Sequence, residues 1–406
     1  MILYNKIELL APAGNFEKLE IALHYGADAV YLAGKDFSLR NFSGNFTLPE
    51  IGAAVRLAHG LGKKVYVACN IYPRNHELEG ISAYLAQLGA ARPDAVIVAD
   101  PGIFEMAREI IPEIPLHIST QANTTHWADA MFWKKMGAVR VNAARELHLS
   151  EISEIVRKSH MEVECFVHGA MCISYSGRCL LSSFMAGRDS NRGLCCHPCR
   201  WQYAVMEETR PGKFMPVMED QRGTYIFNSR DLCMIEHLPE MIQAGITSLK
   251  IEGRMKGIHY IAAVVKIYRE ALDAWYQDPA GYQMNDAWIA ELFRISHRGY
   301  STGFYLGNPD QVSPNFDNYK SFQDHVFLGK ILASDPGQSI VCDVRNKIRK
   351  GESIEILVRK GPPQTDSVLA ITDMDGAPLD EARTGTRVRL ALNGVYVPCD
   401  LIRKAE

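Results

Sequence analysis

The chain lacks any long apolar run. Of its 406 residues 47 % are hydrophobic, yet no stretch approaches the roughly 20 consecutive apolar residues that cross a bilayer as a helix, so no membrane-spanning helix is expected. Met1 leads into the strand-like Ile7-Glu8-Leu9-Leu10 without a basic and then apolar leader, and a cytoplasmic location with no membrane partner is the expectation. An excess of one charge is missing as well, with 44 Lys and Arg against 47 Asp and Glu. Near-neutrality neither demands nor forbids a polyanionic partner, since a local basic face suffices to bind RNA. Glycine is sparse where a dinucleotide loop would need it, because Pro12-Ala13-Gly14-Asn15 carries one and that loop requires about three. The His-Glu-x-x-His helix of zinc peptidases is also missing.

What is present is an alternation. Strands are expected at Ile7 to Leu10, Ala29 to Leu32, Lys64 to Cys69, Ala95 to Val98, Leu116 to Ser119, Ala138 to Asn142, Glu162 to Val167 and Ser248 to Ile251. Between them lie helical patterns such as Phe16 to Tyr25, Leu48 to Leu61, Ile81 to Leu88 and Pro101 to Ile111, with apolar residues recurring at three and four. Gly26, Gly62, Gly89 and Gly137 fall at the ends of these patterns, where a left-handed cap suits glycine. Eight strand-and-helix units fit an α/β fold of the closed (β/α)8 TIM-like barrel type better than an open sheet. In such a barrel the polar residues at strand C-termini converge on one mouth, expected here to collect Glu8, Asn70, Asp100, Gln121, Asn123, Asn142, Arg145, His168, Glu252 and Arg254.

The rhythm breaks after the seventh strand, where residues 169–245 form a long insertion, far beyond an ordinary βα connection. Ala204-Val205-Met206 and Tyr225-Ile226-Phe227 read as strands of a small hairpin lid. Trp201, Tyr203 and Tyr225, interleaved with Arg200 and Arg222, could stack and clamp an RNA base or form the lid's underside. Residues 1–276 are therefore expected to be the catalytic barrel including the insertion, 277–325 a helical segment and a Gly-, Asn-, Asp- and Pro-rich linker, and 326–406 a small antiparallel β-barrel.

The insertion holds five of the chain's ten cysteines, Cys172, Cys179, Cys195, Cys196 and Cys199. In a reducing compartment they require an explanation other than disulfides. The intervals Cys172–Cys179, Cys179–Cys195 and Cys195–Cys199 enclose six, fifteen and three residues, none of them the two-residue gap of a zinc knuckle. Four thiolates can hold structural zinc or an iron–sulfur cluster, and either Cys195 or Cys196 can serve as the third ligand, with Cys233 a remoter competitor. Arg178, Arg188, Arg192 and Arg200 would offset the anionic thiolates. Cys69, Cys165, Cys342 and Cys399 read as core residues. Four clustered thiols do not suit a cysteine peptidase, which needs one thiol activated by histidine.

Other candidates have two readings each. Glu252 and Arg254 bind a carboxylate-bearing ligand or close the mouth as an ion pair. His117, Ser119, Gln121 and Asn123 alternate along and beyond strand five as a ligand-binding row or an internal hydrogen-bond network. Arg145 clamps a carboxylate or pairs within the fold, and His168 relays a proton or is a satisfied structural histidine.

The run Glu164-Cys165-Phe166-Val167-His168-Gly169-Ala170-Met171-Cys172, followed after four residues by Gly177-Arg178-Cys179-Leu180-Leu181-Ser182, resembles the signature of the U32 family, historically called collagenase-like peptidases. Arg188 to Cys195, Cys199-Arg200-Trp201, Asn228 to Leu232 and Ser248 to Arg254 fit it too, as do Leu10 to Gly14, Gly26 to Tyr31 and Ser119 to Asn123. The layout is most similar to the branch that forms 5-hydroxyuridine at the wobble position of tRNA with dependence on prephenate. That resemblance implies a 4Fe-4S cluster on Cys172, Cys179, Cys195 and Cys199, with Cys196 and Cys233 unassigned. It implies tRNA as partner, admits a second U32-family subunit or a homo-oligomer, and leaves cluster-dependent hydroxylation of rRNA or of a quinone precursor as enzymatic alternatives. A non-enzymatic RNA-binding protein with a structural cluster is the third reading. The expected catalytic residues are His168, Asn142 and Glu252; Arg145, Arg254, Gln121, Asn123 and Tyr225 are expected to bind substrate, the two arginines taking the two carboxylates of prephenate.

Overall fold

The computed structural model describes residues 6–38, 44–172, 174–200, 230–307, 326–335 and 339–405, and between 201 and 229 the backbone of four short strands alone. By internal contact the chain divides into two compact units: residues 1–19, 27–256 and 297–321, and residues 20–26, 257–296 and 322–406.

The first unit carries eight parallel strands: β1 (Glu8–Pro12), β2 (Ala29–Ala33), β3 (Lys64–Cys69), β4 (Ala95–Val98), β5 (Leu116–Ile118), β6 (Arg140–Asn142), β7 (Glu162–Gly169) and β8 (Ser248–Ile251). Each pairs with its successor, β8 pairs with both β7 and β1, and the sheet therefore closes into a (β/α)8 barrel. Strands such as β2 and β4 are buried at every position, as expected of parallel strands covered on both faces. The intervening helices carry their own start signals. Thr47 and Glu50 form a reciprocal capping box on Leu48–Gly60, and Asp100 accepts from the amides of Gly102 and Ile103 at the start of Pro101–Ile110. Gly26, Gly62 and Gly137 take positive φ as expected. Gly89 does not, because Leu78–Ala91 runs past it and ends at Arg92; an added Cβ on Gly89 would meet Ile111 Cγ2 at 2.8 Å, so close helix packing is its reason for being glycine.

The barrel interior is divided. The inward residues of β1 to β4 form an apolar cluster of Leu10, Ala29, Tyr31, Ala33, Tyr66, Ala68, Ala95 and Ile97. Against it, β6 to β8 and the start of β1 place charged groups inside the barrel. Arg140 Nη1 donates to Glu8 Oε1 at 2.6 Å and approaches Glu164 Oε2 at 3.4 Å. Glu164 Oε1 in turn accepts from Lys250 Nζ at 2.7 Å and from Asn142 Nδ2 at 2.8 Å. Glu8 also accepts from Tyr66 OH and Ser248 Oγ. Burial works against the Arg140 charge, but Glu8 and Glu164 more than offset it and hold its pKa above the ordinary value. The sequence reading set Glu8 and Asp100 at the mouth. Glu8 instead starts its strand and bonds inside the barrel, and Asp100 is spent on a helix cap.

Two features extend the barrel at the end of β7. A register shift opposite Lys250 and Ile251 bulges the strand between Phe166 and His168, a common device beside functional sites. Asp231–Cys233 then pairs antiparallel with Gly169 and His168, and Tyr300–Ser301 pairs with Asp231–Cys233. Within 277–325, expected as a helical segment and linker, residues 297–307 are thus folded, and 308–325 lie outside the described residues. Arg298 donates twice to the buried Asp231 at 3.0 and 2.5 Å, and buried Tyr305 donates to Phe166 O at 2.7 Å. Its Gly- and Ser-rich composition serves tight turns within the barrel unit.

The second unit holds the helices Ile258–Gln277 and Asp286–Phe293 and an eight-stranded antiparallel sheet. Residues such as Leu328, Ile340, Ile354, Val388 and Ile402 form the apolar core of the sheet. Buried Arg403 bridges Glu291 and Glu355. Cys342 is core, whereas Cys399 is half-buried at φ 76°.

Replacing Arg140 by methionine leaves Glu8 and Glu164 buried without their shared counter-ion. Urea unfolding is expected to show a loss of about 3–5 kcal/mol at unchanged denaturant slope; a loss under about 1 kcal/mol would contradict the network's role.

Candidate functional site

Two cavities open at the C-terminal end of the barrel strands. The mouth cavity, about 80 Å³, is lined by Asn70, Gln121, Asn142, Arg145, Lys250, Glu252 and Arg254 together with Tyr31, Phe166 and Cys172. The second, about 210 Å³, is lined by Cys172, Cys179, Cys195 and Cys199 with Tyr175, His197, Met255 and Lys256. Gln121, Cys172, Ser176 and Glu252 belong to both walls, so the cavities adjoin.

The mouth is polar and its polarity is directed. Arg145, 8 % exposed, lies 3.8 Å over the Phe166 ring and donates from Nη1 to Ala170 O at 3.0 Å, while its Nε has no partner among the described residues. Asn70 Oδ1, Gln121 Oε1 and Asn142 Oδ1 are likewise buried with no donor among the described residues. Lys250 extends from β8 over the Tyr31 ring at 4.4 Å while bonded to Glu164. Glu252 Oε2 accepts from Tyr31 OH at 3.2 Å, and its amide donates to His168 O at 2.8 Å. Arg254 is 4 % exposed, and its carbonyl accepts from Lys18 Nζ at 2.9 Å. A Cβ on Gly14 would come within 2.2 Å of that carbonyl, so the glycine after β1 is fixed by close backbone approach.

Asn123 holds a different position. At φ 55° it donates from Nδ2 to Gln121 O and to Ser176 O, both at 3.1 Å, and so ties the loop after β5 to the insertion. The row expected from His117 to Asn123 breaks at Ile118, because Thr120–Ala122 is a 3-10 turn that rotates successive side chains off the strand's period. His117 is buried at 4.8 Å from Tyr66, and burial with the charges of Arg140 and Lys250 keeps it neutral. His168 lines neither cavity. It is 1 % exposed, its ring lies 5.2 Å from Tyr300, and burial lowers its pKa to about 3. The side chain of Tyr225 lies outside the described residues, as do Trp201, Tyr203 and Arg222.

The insertion is anchored between its cysteines. Arg192 forms a two-pronged pair with Glu77 at 2.8 and 2.6 Å and donates to Tyr72 O at 3.1 Å. That hydrogen bonding holds the Glu77 carboxyl down to about 2. Tyr72 OH donates to Gln121 O at 2.6 Å, and its ring fills the space where Gly177 would carry a Cβ. Arg192 is therefore an anchor, and among the described residues Lys256 lines the four-cysteine cavity as a cation, which composition gave no reason to select.

Cys195 and Cys196 separate by their partners. Cys195 faces the shared cavity and its Sγ accepts from His197 N at 3.4 Å, whereas Cys196 Sγ lies 3.3 Å from Ser182 Oγ outside that wall. Cys196 and Cys199 do have the two-residue gap of a zinc knuckle, which intervals counted from Cys195 pass over, and the fold directs the two thiols to different surroundings. Among the described residues no three His, Cys, Asp or Glu side chains gather closely enough to share one metal ion. Four soft donors around one cavity, with a backbone N–H on one sulfur, fit a multi-iron cluster, whose thiolates each bind a separate iron. Cys69 and Cys165 are buried, and burial raises the Cys69 thiol to about 12 and Cys165 further. Gly299-Tyr300-Ser301-Thr302-Gly303 has the spacing of a serine nucleophile elbow, a match the sequence reading passed over. Ser301 sits on an added strand and its hydroxyl accepts from Gly303 N, so the strand-to-helix elbow is not formed.

Residues 14–315 match peptidase family U32 and residues 323–403 match the peptidase family U32 C-terminal domain. The chain is 40 % identical over 407 aligned positions to tRNA hydroxylation protein P1 of Bacillus subtilis (strain 168), covering 100 % of this chain and 96 % of that one. It is 37 % identical to tRNA hydroxylation protein P of Escherichia coli (strain K12), covering 88 % of this chain and 87 % of the relative. A third relative is the 23S rRNA 5-hydroxycytidine C2501 synthase of the same organism, 35 % identical over 88 % of this chain and 53 % of its own length. With a barrel, a cysteine insertion and a C-terminal sheet all inside the matched segments, the chain belongs to peptidase family U32.

Proposed function

We propose that this chain is an RNA-modifying enzyme that hydroxylates uridine at C5, forming 5-hydroxyuridine at the wobble position of tRNA in a prephenate-dependent manner. The observation that carries the reading is the end-to-end likeness to a tRNA hydroxylation protein. The site chemistry supports it. Cys172, Cys179, Cys195 and Cys199 would hold a 4Fe-4S cluster, with the His197 amide and Lys256 moderating its negative charge. When bound, such a cluster would supply one-electron or Lewis-acid chemistry beside the mouth.

The chain's own groups bind and orient. Arg145 and Arg254 present buried guanidinium groups to the mouth and suit the two carboxylates of prephenate. Gln121, shared by both cavities, would contact what is bound at either. His168, neutral at physiological pH, acts through its carbonyl on the position of Glu252. Tyr175, on the wall of the four-cysteine cavity, is 46 % exposed, and Phe184, outside both linings, is 83 % exposed, giving aromatic faces on which unpaired bases stack.

Anaerobically purified protein is expected to be brown, with iron and sulfide each near about four atoms per chain. Alanine at Cys172, Cys179, Cys195 or Cys199 should strip most of both, and Cys196→Ser should retain them. One zinc without sulfide would contradict the assignment. Purified protein given undermodified tRNA and prephenate should yield 5-hydroxyuridine by nucleoside mass spectrometry. Arg145→Met or Arg254→Met should weaken prephenate affinity by about tenfold or more; unchanged affinity in both would refute the clamp, and product in rRNA alone would refute the tRNA assignment.

A further inference from the structure

Asn142 has a fixed direction. It sits at the end of β6, 2 % exposed, in register beside Glu164 of β7. Its Nδ2 lies 2.8 Å from Glu164 Oε1, the same oxygen that takes the Lys250 ammonium at 2.7 Å. An ionised carboxylate paired with an ammonium and a guanidinium can only accept, so the Asn142 amide must turn its nitrogen toward it. The Oδ1 then faces away from Glu164, is buried, has no donor among the described residues, and belongs to a residue of the mouth wall. An amide in water reorients to suit any neighbour, but this one is held as an acceptor by the charges inside the barrel.

A buried acceptor left unpaired costs free energy, and a ligand that supplies a donor recovers it. We propose that Asn142 is a specificity residue that reads a hydrogen-bond donor on the molecule bound in the mouth, with Glu164 and Lys250 as the positioning residues that fix its orientation. The inference rests on the reading of the mouth as the prephenate site. Two carboxylates held at Arg145 and Arg254 leave the ring hydroxyl as that molecule's one donor, and Asn142 Oδ1 is the group that would accept it. The neighbouring orphan acceptors, Asn70 Oδ1 and Gln121 Oε1, carry no such charge-fixed direction, because neither amide nitrogen is bonded to a carboxylate.

Calorimetry on the full chain with prephenate and with the methyl ether of its ring hydroxyl tests this. The ether keeps both carboxylates and removes the donor. Wild type should bind prephenate at least about tenfold more tightly than the ether. Asn142→Leu, of similar volume, should bring the two within about threefold, because the variant loses the acceptor for one ligand and the repulsion toward the other. Should the leucine variant fail to fold, Asn142→Ser, too short to span from Glu164 to the ligand, should show the same collapse of the ratio. Equal binding of both ligands to wild type, or a tenfold preference retained in the folded variant, would overturn the assignment to Asn142 while leaving the dicarboxylate site standing. Failure of wild type to bind either ligand would overturn that site, and this inference with it.

Discussion

Glu164 is the point on which the site depends. Its carboxylate lies inside the barrel where an unpaired charge would be untenable, and it is stabilised by Arg140 from below and by Lys250 and Asn142 from the mouth side. Each partner is thereby held in one arrangement. Arg140 is drawn between Glu8 and Glu164, Lys250 is pulled down from the cavity onto the Tyr31 and Phe166 rings, and the Asn142 amide is turned one way. A network of this kind adds little net stability over an apolar core of equal volume. Its effect is to give the polar half of the barrel a unique geometry while the other half packs as Leu10, Tyr31, Tyr66 and Ile97.

The cysteine insertion depends on the same frame from outside. Arg192 and Tyr72 fasten it to the loop after β3, Asn123 ties it to the loop after β5, and Asp231–Cys233 pairs it to the end of β7. Cys172 follows directly from β7 and reaches both cavities. A loop of this length would otherwise sample many arrangements, and several short anchors distribute the ordering cost along it. The result places four thiol side chains and a set of directed polar groups against one another across a shared wall.

Most of the frame was legible in the sequence, because β1 to β8 are short apolar runs that recur with helices between them and need no long-range information to recognise. The mouth residues Asn142, Arg145, Glu252 and Arg254 were legible for the same reason: each follows a strand end. Lys250 and Glu164 were not, since a lysine and a glutamate inside an apolar strand look like solvent-facing positions until barrel closure turns them inward together. Glu8 was misplaced because a strand read as Ile7 to Leu10 stops two residues short of the observed end at Pro12, which sets Glu8 at the start of the strand and away from the mouth. Arg192 was grouped with the thiolates by proximity in sequence, and its pairing with Glu77 spans 115 positions. The choice of Cys195 over Cys196 came from family resemblance; in the fold Cys195 lines the four-cysteine cavity and Cys196 lies against Ser182. Residues 299–307 fall in a stretch that composition marks as a linker up to residue 324, because Gly299 and Gly303 mark turns equally well in a linker and in the added strand that Asp231 and Arg298 secure.

The account makes the mouth cavity and the four-cysteine cavity one site with a common wall. Electron paramagnetic resonance of the reduced holoenzyme, recorded with and without saturating prephenate, tests this most directly. A cluster bound against Gln121, Cys172 and Glu252 should change its g-values and line shape when the mouth fills. A spectrum left unchanged, with prephenate binding verified on the same sample, would contradict the shared site.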